Sequence, residues 1–196
     1  MARRKNALAE AASSRTGPLD AAAWVSAALD VLATDGIDAV RVEPLAKTLH
    51  VTKGSFYWHF ADRRALIDAM LQQWANGRIA AIRDQAPRDG DPARALRALA
   101  DLYTRRSNTR GLAIELAIRA LARNDDAAAR AVQSVDAERL QRVATLFEQL
   151  GWQPREAGAR AVMVYAYLFG QSLLDPKSVR SADTTLALDA LLAPPR

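Results

Sequence analysis

The chain contains no cysteine among its 196 residues. Disulfide bonds and cysteine-bound zinc or iron–sulfur sites are therefore excluded, and the composition fits a reducing compartment. Only 9 glycines and 8 prolines occur, so few positions interrupt a helix. Runs of alternating β-branched residues are missing as well. The sequence therefore predicts helices and no sheet.

Long hydrophobic runs are also lacking. No apolar stretch approaches the roughly 20 residues that a membrane-spanning helix needs, and the start has no apolar signal core. We therefore expect a cytoplasmic protein that does not enter a membrane. Hydrophobic residues make up 50% of the chain, enough for one or two small domains with a sizeable core.

Residues that enzymes use for catalysis are few. Only two histidines occur, His50 and His59, and the chain has no His-Glu-x-x-His motif, serine elbow or glycine-rich phosphate loop. Ser55 lies near His59, but no acidic residue is placed to orient that histidine. We therefore predict no catalytic residue, no metal site and no cofactor. An all-helical enzyme stays open as an alternative.

The most distinctive stretch is residues 52–60, which read Thr-Lys-Gly-Ser-Phe-Tyr-Trp-His-Phe. On a helix, Phe56 and Phe60 share a face that can pack in a core, because they are four residues apart. Tyr57 and Trp58 fall on other faces, each with a ring and one hydrogen-bond donor. Small residues in the first turn suit close approach to a phosphate backbone. Taken alone, the stretch could equally be an aromatic core.

The preceding residues favour DNA binding over a plain core. Residues 42–49 have the pattern of a short helix, with Pro44 in its first turn and Leu45 and Leu49 on one face. His50 and Val51 then form a two-residue corner. A helix, a tight corner and a second helix with a slim, polar start are the arrangement of a helix-turn-helix motif, here at about residues 41–60.

Residues 33–71 resemble the DNA-binding domain of the tetracycline-repressor (TetR) family, above all in the run GSFYWHFADRRALIDAML at positions 54–71. The resemblance covers about residues 17–78. It implies a three-helix helix-turn-helix domain there and a helical effector-binding and dimerisation domain over residues 79–196. Two positions depart from the family pattern. Arg41 replaces the usual capping Ser or Thr, and His50 replaces the usual corner glycine, where it can adopt φ > 0.

The helical spacing of apolar residues outlines an all-α fold of about nine helices. The predicted segments are residues 19–35, 42–49, 52–60, 62–87, 93–106, 111–123, 124–150, 154–174 and 183–192. Residues 1–16 precede them and carry four basic side chains and one acidic one, a net charge of 4 − 1 = +3. Such an arm can reach DNA, and it is equally typical of a disordered, solubilising tail.

The residue types and the resemblance together indicate which side chains contact DNA. Thr52, Lys53 and Ser55 are predicted to reach base edges or the nearby backbone, since a lysine there most often reads guanine acceptors. Gly54 allows close approach of the helix start. The matching family positions imply contacts with phosphates, which fix register rather than sequence, for Tyr57, Trp58, His59 and Arg63. Arg41 is expected to contact phosphate where the family has a hydroxyl, and Val42 is also expected to lie at the DNA.

The resemblance also implies a small-molecule effector that binds among the later helices and releases DNA. Its identity is not indicated, although a lipophilic compound is expected. The candidate pocket residues mix apolar rings with a few hydroxyl groups, and each could equally be core: Trp74, Tyr103, Phe147, Met163 and Tyr167.

The last two predicted helices resemble the pair with which the family forms a homodimer. A protein that reads palindromic DNA needs two-fold symmetry, which favours dimerisation over an ordinary monomer core. The predicted interface comprises Arg155, Ala159, Val162, Ala166, Phe169, Gly170, Leu173, Leu188 and Leu191.

The sequence thus predicts a homodimeric transcriptional regulator of the nucleoid, expected to be a repressor that binds a palindromic operator and responds to a ligand. The alternative is a helical ligand- or protein-binding module that has lost DNA binding. The departures at Arg41 and His50 are the support for that alternative.

Overall fold

The structure, a computed structural model, describes residues 20–84, 90–104, 109–171, 174, 177 and 180–195, with residues 102–104 described as backbone only. This part of the chain is all-α, as predicted, with nine α-helices, one 3-10 helix and no strand. The predicted basic arm at residues 1–16, Leu173 and the side chain of Tyr103 lie outside the described parts. In chain order the α-helices are α1 (Ala21–Asp35), α2 (Val42–Thr48), α3 (Lys53–Tyr57), α4 (Arg63–Asp84), α5 (Pro92–Thr104), α6 (Thr109–Leu121), α7 (Asp126–Gln149), α8 (Pro154–Gly170) and α9 (Ser181–Leu192).

The helix ends follow short-range signals in the sequence. Asp20, Asp62 and Asp125 each accept a hydrogen bond from the backbone N–H three residues further on, at 2.8 to 2.9 Å. Each aspartate therefore satisfies an amide that has no partner within its helix. Gly36 and Gly151 follow α1 and α7 with φ of 81° and 98°. Glycine adopts this left-handed conformation without strain, so both helices end there.

Two clusters of buried side chains hold the helices together. The first contains Trp24, Phe56 and Met70 from the N-terminal helices and extends to Ile118 of α6. The second lies between α5, α7, α8 and α9. Helix α4 contributes to the first cluster as far as Ile82. The helix-turn-helix segment therefore shares its core with later helices, and a domain boundary near residue 78 stays a prediction.

Arginine side chains add polar links between the N-terminal helices and the rest. The Nε of Arg110, at the start of α6, donates to Asp30 of α1 at 2.6 Å. Arg64, at the start of α4, donates to Asp125 before α7 at 2.5 Å. Arg78 of α4 donates to a backbone carbonyl at the start of α6 at 2.7 Å. These links fix the orientation in which α2 and α3 are presented.

Candidate DNA-binding site

Helix α3 is five residues long, shorter than the predicted segment 52–60. The side chain of Thr52 begins it, accepting a hydrogen bond from Ser55 N at 3.4 Å. Trp58 is the C-terminal cap, so it and the two residues after it extend beyond the helix. A helix this short is marginal by itself and depends on tertiary packing.

That packing comes from the two phenylalanines predicted to face the core. Phe56 and Phe60 are 0% and 7% exposed, which confirms the prediction. Their ring centroids lie 5.4 Å apart. Phe56 also meets the ring of Trp24 of α1 edge to face, at 5.3 Å. Such aromatic contacts add to the gain from burial and anchor α3 to α1.

The corner between α2 and α3 turns at His50, which has φ of 56°. Within the described ranges it is the one residue other than glycine with positive φ. Val51 N then donates to Ala46 O at 3.0 Å and closes the turn. The left-handed conformation explains why glycine is usual here, and histidine keeps the same geometry at some conformational cost.

The side of α3 that faces away from the core is exposed. Tyr57 is 54% exposed and Trp58 is 87% exposed. A tryptophan ring left almost entirely in water is a feature of binding surfaces, because burial within the chain would otherwise favour it. Ser55, in the same segment, is half-buried. The other residues of the segment that were predicted to contact DNA are exposed as well: Thr52, Lys53, Gly54 and His59.

Packing within the chain does not require glycine at position 54. A Cβ added to Gly54 would meet only the Oγ1 of Thr52, at an ordinary contact distance of 3.6 Å. The missing side chain leaves the first turn of α3 slim on its outer side. The backbone can therefore come close to a binding partner there.

Glu43, which was not predicted as a site residue, pairs with Lys53. The Nζ of Lys53 donates to Glu43 Oε1 at 2.9 Å, and the two side chains are 52% and 69% exposed. The hydrogen bond and charge of Lys53 lower the pKa of Glu43, and those of Glu43 raise the pKa of Lys53. Both groups are therefore charged at neutral pH. The available signal was an acidic residue in the first turn of α2.

Arg41 and Arg63, predicted to contact phosphates, have partners within the chain. The Nε of Arg41 donates to a backbone carbonyl at 2.8 Å, and no side chain caps α2, as the sequence indicated. Arg63 donates to the carbonyls of Val40 at 2.7 Å and Ile37 at 2.5 Å. It thus fastens the link between α1 and α2. Each guanidinium has five N–H donors, so these bonds use only some of them. Val42 is half-buried.

The structure does not gather the predicted effector residues into one pocket. Trp74 is buried in the first cluster and Phe147 in the second. Tyr167 is half-buried, and its hydroxyl donates to Thr184 O at 2.8 Å. Met163 is 47% exposed. Met163 therefore lies on an outward-facing side of α8, and its assignment to an effector pocket stays a prediction.

A groove of about 380 Å³ lies between α4 and α7, and none of the predicted effector residues lines it. Its walls combine apolar side chains with amide, hydroxyl and charged groups. They are formed by Asp68, Leu71, Gln72, Ala75, Asn76, Ile79, Ala127, Arg130, Ala131 and Ser134.

The predicted dimer residues are partly exposed and partly buried within the chain. Phe169 and Gly170 are half-buried. On α9 the prediction needs correction, because Leu188 is 6% exposed and packs in the second cluster with Leu191 against it, whereas Leu186 is 70% exposed. On α8 an exposed stripe does form, with residues at spacings of four, three and four: Arg155, Ala159, Val162 and Ala166.

Across the described residues, no group of three or more His, Cys, Asp or Glu side chains could hold a metal ion. None of the helices in those ranges has the length and apolar character to span a bilayer.

A short helix with an exposed aromatic and basic face, set after a tight corner, has the arrangement of a helix-turn-helix motif. Comparison with known proteins narrows the class. Residues 25–70 match the family described as bacterial regulatory proteins, tetR family. A crystal structure of a transcriptional regulator from Rhodococcus sp. Rha1 has a TM-score of 0.72 at 22% identity, over 89% of this chain and 94% of that one.

Curated relatives match in the same N-terminal region. Tetracycline repressor protein class A from transposon 1721 of Escherichia coli is 42% identical over 48 residues, which are 24% of this chain and 22% of that protein. Tetracycline repressor protein class G of Vibrio anguillarum is 38% identical over 52 residues, 26% of this chain and 25% of that protein. The matches thus span about a quarter or less of either relative. Residues 25–70 are thus similar to the TetR family in sequence, and the rest of the chain shares the fold of the solved regulator structure.

Proposed function

We propose that the protein represses transcription by binding a palindromic operator as a homodimer, and that a small molecule releases it. The observation that carries this proposal is the exposed face of α3 with Lys53, Tyr57 and Trp58, anchored from behind by the buried Phe56 and Phe60. In this proposal α3 of each subunit enters the major groove of one half-site.

The residues of this face divide into two tasks. Thr52, Lys53 and Ser55 lie at the start of α3 and reach base edges or the adjacent backbone, since Gly54 allows that start to come close. Tyr57 and Trp58, with His59, donate hydrogen bonds to phosphates and set the register. The remaining N–H groups of Arg41 and Arg63 add phosphate contacts from the side of the link.

The exposed stripe on α8 supports the homodimer. Small residues at Ala159 and Ala166 allow two helices to approach closely, and Val162 offers an apolar contact with 55% of its surface exposed. Leu186 of α9 extends the same kind of surface. Two copies of α8 and α9 would bury it as a four-helix bundle around a two-fold axis, which also matches a palindromic operator.

The effector is proposed to act through α4, because that helix follows α3 directly and packs against α7. Its chemical identity is open. The curated relatives are tetracycline repressors, but the match to them covers 48 and 52 residues in the N-terminal part, so it does not support tetracycline as the effector. We further propose a cytoplasmic protein that acts without a cofactor or catalytic activity.

Selection of bound DNA from a random pool tests the DNA-binding part of this proposal. We expect a palindromic sequence whose half-sites lie about one helical turn apart, and an affinity that falls steeply as salt rises. A control is unrelated duplex of equal length. Recovery of no preferred sequence would contradict the proposal and favour a helical module that has lost DNA binding.

Two variants test the division of tasks. Lys53→Ala should weaken operator binding roughly 5- to 150-fold and relax preference at one base pair. Tyr57→Phe removes one hydroxyl and should weaken all sequences alike. Gel-shift titrations on the selected operator and on its single-base variants distinguish the two. A change of base preference in Tyr57→Phe would show that the tasks are assigned wrongly.

A further inference from the structure

We infer that Glu43 is a specificity-determining residue that acts with Lys53 to read one G·C base pair in each half-site. The inference rests on the proposed function, since it requires α3 to enter the major groove. It adds α2 to the reading surface, through a residue to which the family resemblance assigned no role.

The first step is the position of the carboxylate. Glu43 lies in the first turn of α2, and its Oε1 is 2.9 Å from the Nζ of Lys53, the first residue of α3. Both side chains are more than half exposed. The pair therefore bridges the two helices on the same side as the slim start of α3 and presents a positive and a negative group side by side.

The second step is that fold stability does not explain this pair. An ion pair as exposed as this one contributes little to folding, because water and salt screen it. A carboxylate on a DNA-binding surface is also repelled by phosphates. Glu43 also complements the helix dipole from the first turn of α2, and on the DNA the favourable partner for its carboxylate is a hydrogen-bond donor. In the major groove, such donors are the amino groups of cytosine and adenine.

The third step is the match to base-pair chemistry. A G·C pair presents the N7 and O6 acceptors of guanine beside the N4 amino group of cytosine. Lys53 can donate to the acceptors while Glu43 accepts from the amino group. An A·T pair places its amino group between two acceptors, one of which would face the carboxylate. Because the ion pair fixes the order of the two charges, it also favours one orientation of the G·C pair.

The test uses Glu43→Gln, which keeps the shape of the side chain and removes its charge. Binding of wild type and variant is measured on the selected operator and on versions with each of the four base pairs at every half-site position. Wild type should prefer G·C at one position by roughly 5- to 150-fold. In Glu43→Gln that preference should fall at least about fivefold, while binding to unrelated DNA tightens, because one repulsive charge is gone.

Glu138→Gln is the matched control. Glu138 of α7 forms an ion pair with Arg83 at 2.8 Å, so this variant makes the same charge change in another ion pair, outside the helix-turn-helix segment. Its base preferences should equal those of wild type. Unchanged thermal unfolding of both variants checks that the fold is intact.

The double variant Lys53→Gln, Glu43→Gln tests joint reading. If the two residues act on one base pair, the double variant should lose no more preference at that base pair than the single variant with the larger loss. Losses at two different positions would overturn the inference. The inference would also be overturned if Glu43→Gln bound all four base-pair versions more tightly by the same factor and kept the wild-type preferences. Glu43 would then only repel DNA in general. With either of these outcomes the proposed function would stand. If wild type selected no sequence at all, the inference and the proposed function would both fail.

Discussion

Two groups of charged residues in this chain have similar chemistry and opposite surroundings. At the proposed DNA-binding surface, Glu43 and Lys53 form one exposed pair. In the interior, Glu115 of α6 and Arg139 of α7 are 2% and 1% exposed. Two hydrogen bonds of 2.7 and 2.8 Å join them. The exposed charged groups can give up their mutual contact for a contact with water or a binding partner. The buried groups have no solvent to take the place of a lost partner.

The buried pair belongs to a larger network that connects four helices. Arg119 of α6 donates to Glu115 at 3.0 Å and to Asp136 of α7 at 2.9 Å. Arg78 of α4 lies 3.4 Å from Glu115. The guanidinium groups of Arg119 and Arg139 lie 4.6 and 5.4 Å from the ring centre of Phe169 of α8. The buried network therefore fixes the mutual positions of α4, α6, α7 and α8, whereas the exposed pair has the proposed role in recognition.

The largest expected effect comes from breaking the buried network. Glu115→Gln removes the nearer negative charge that Arg139 faces and leaves the buried cation with only Asp136, 3.4 Å away, as a counter-charge. We expect a loss of about 3–5 kcal/mol in the free energy of unfolding. Urea unfolding followed by circular dichroism measures it. Glu138→Gln lies in a more exposed pair, with side chains 67% and 30% exposed, and should lower the urea midpoint far less. Similar losses in both variants would contradict this difference between the two pairs.

The same network should make stability sensitive to acid. Burial by itself raises the pKa of Glu115, but the hydrogen bonds and charge of Arg139, with the charges of Arg119 and Arg78, lower it overall below the ordinary 4.5. A carboxyl whose pKa is lower in the folded state stabilises the fold fully above its unfolded pKa, and this stabilisation is lost as pH falls through the folded pKa.

We therefore expect the free energy of unfolding to decrease below about pH 4.5, and to decrease less steeply in Glu115→Gln. Urea titrations at a series of pH values from about 6 to 3 measure the two slopes. Parallel curves for the variant and wild type would show that Glu115 does not contribute to the acid sensitivity.

A smaller effect is expected where a charged group is exposed but still fastens the backbone. Arg63 donates to two carbonyls of the link between α1 and α2, and lysine cannot reproduce that two-pronged geometry. Arg63→Lys should cost about 1 kcal/mol of stability. It should also weaken binding to all DNA sequences alike, since the position of α2 is less well fixed. Arg123→Lys is a control at an exposed position, and an equal effect there would contradict the role of the link.

The same contrast explains what could be predicted from sequence. The faces of α3 follow from local spacing, because Phe56 and Phe60 are four residues apart and Tyr57 must then point elsewhere. Glu115 and Arg119 are four residues apart on one helix, so their hydrogen bond follows from local spacing. The pairing of Glu115 with Arg139, 24 residues away, depends on how α6 packs against α7, which no local pattern encodes.

The dimer surface and the effector pocket were harder for related reasons. Helix α9 has leucines on several sides, so spacing alone could not separate the buried Leu188 from the exposed Leu186. A pocket depends on the shape left between helices, and apolar side chains such as Trp74 and Phe147 fill cores as readily as they line cavities. The resemblance to TetR proteins was specific where the motif is short and local, and weak beyond it.

The smallest expected effect concerns the corner between the two motif helices, where resemblance and backbone geometry agree. His50 has φ of 56°, a conformation that costs a residue with a Cβ about 1–2 kcal/mol and glycine very little. Glycine loses more conformational freedom on folding, about 0.5–1 kcal/mol, which offsets part of this gain. His50→Gly should therefore stabilise the fold by about 0.5 kcal/mol, measured by urea unfolding, and leave the base preferences of the selected operator unchanged. Lower stability in this variant would mean that the imidazole makes a favourable contact that outweighs the backbone strain, and the corner would then be a structural adaptation of this chain rather than a tolerated substitution.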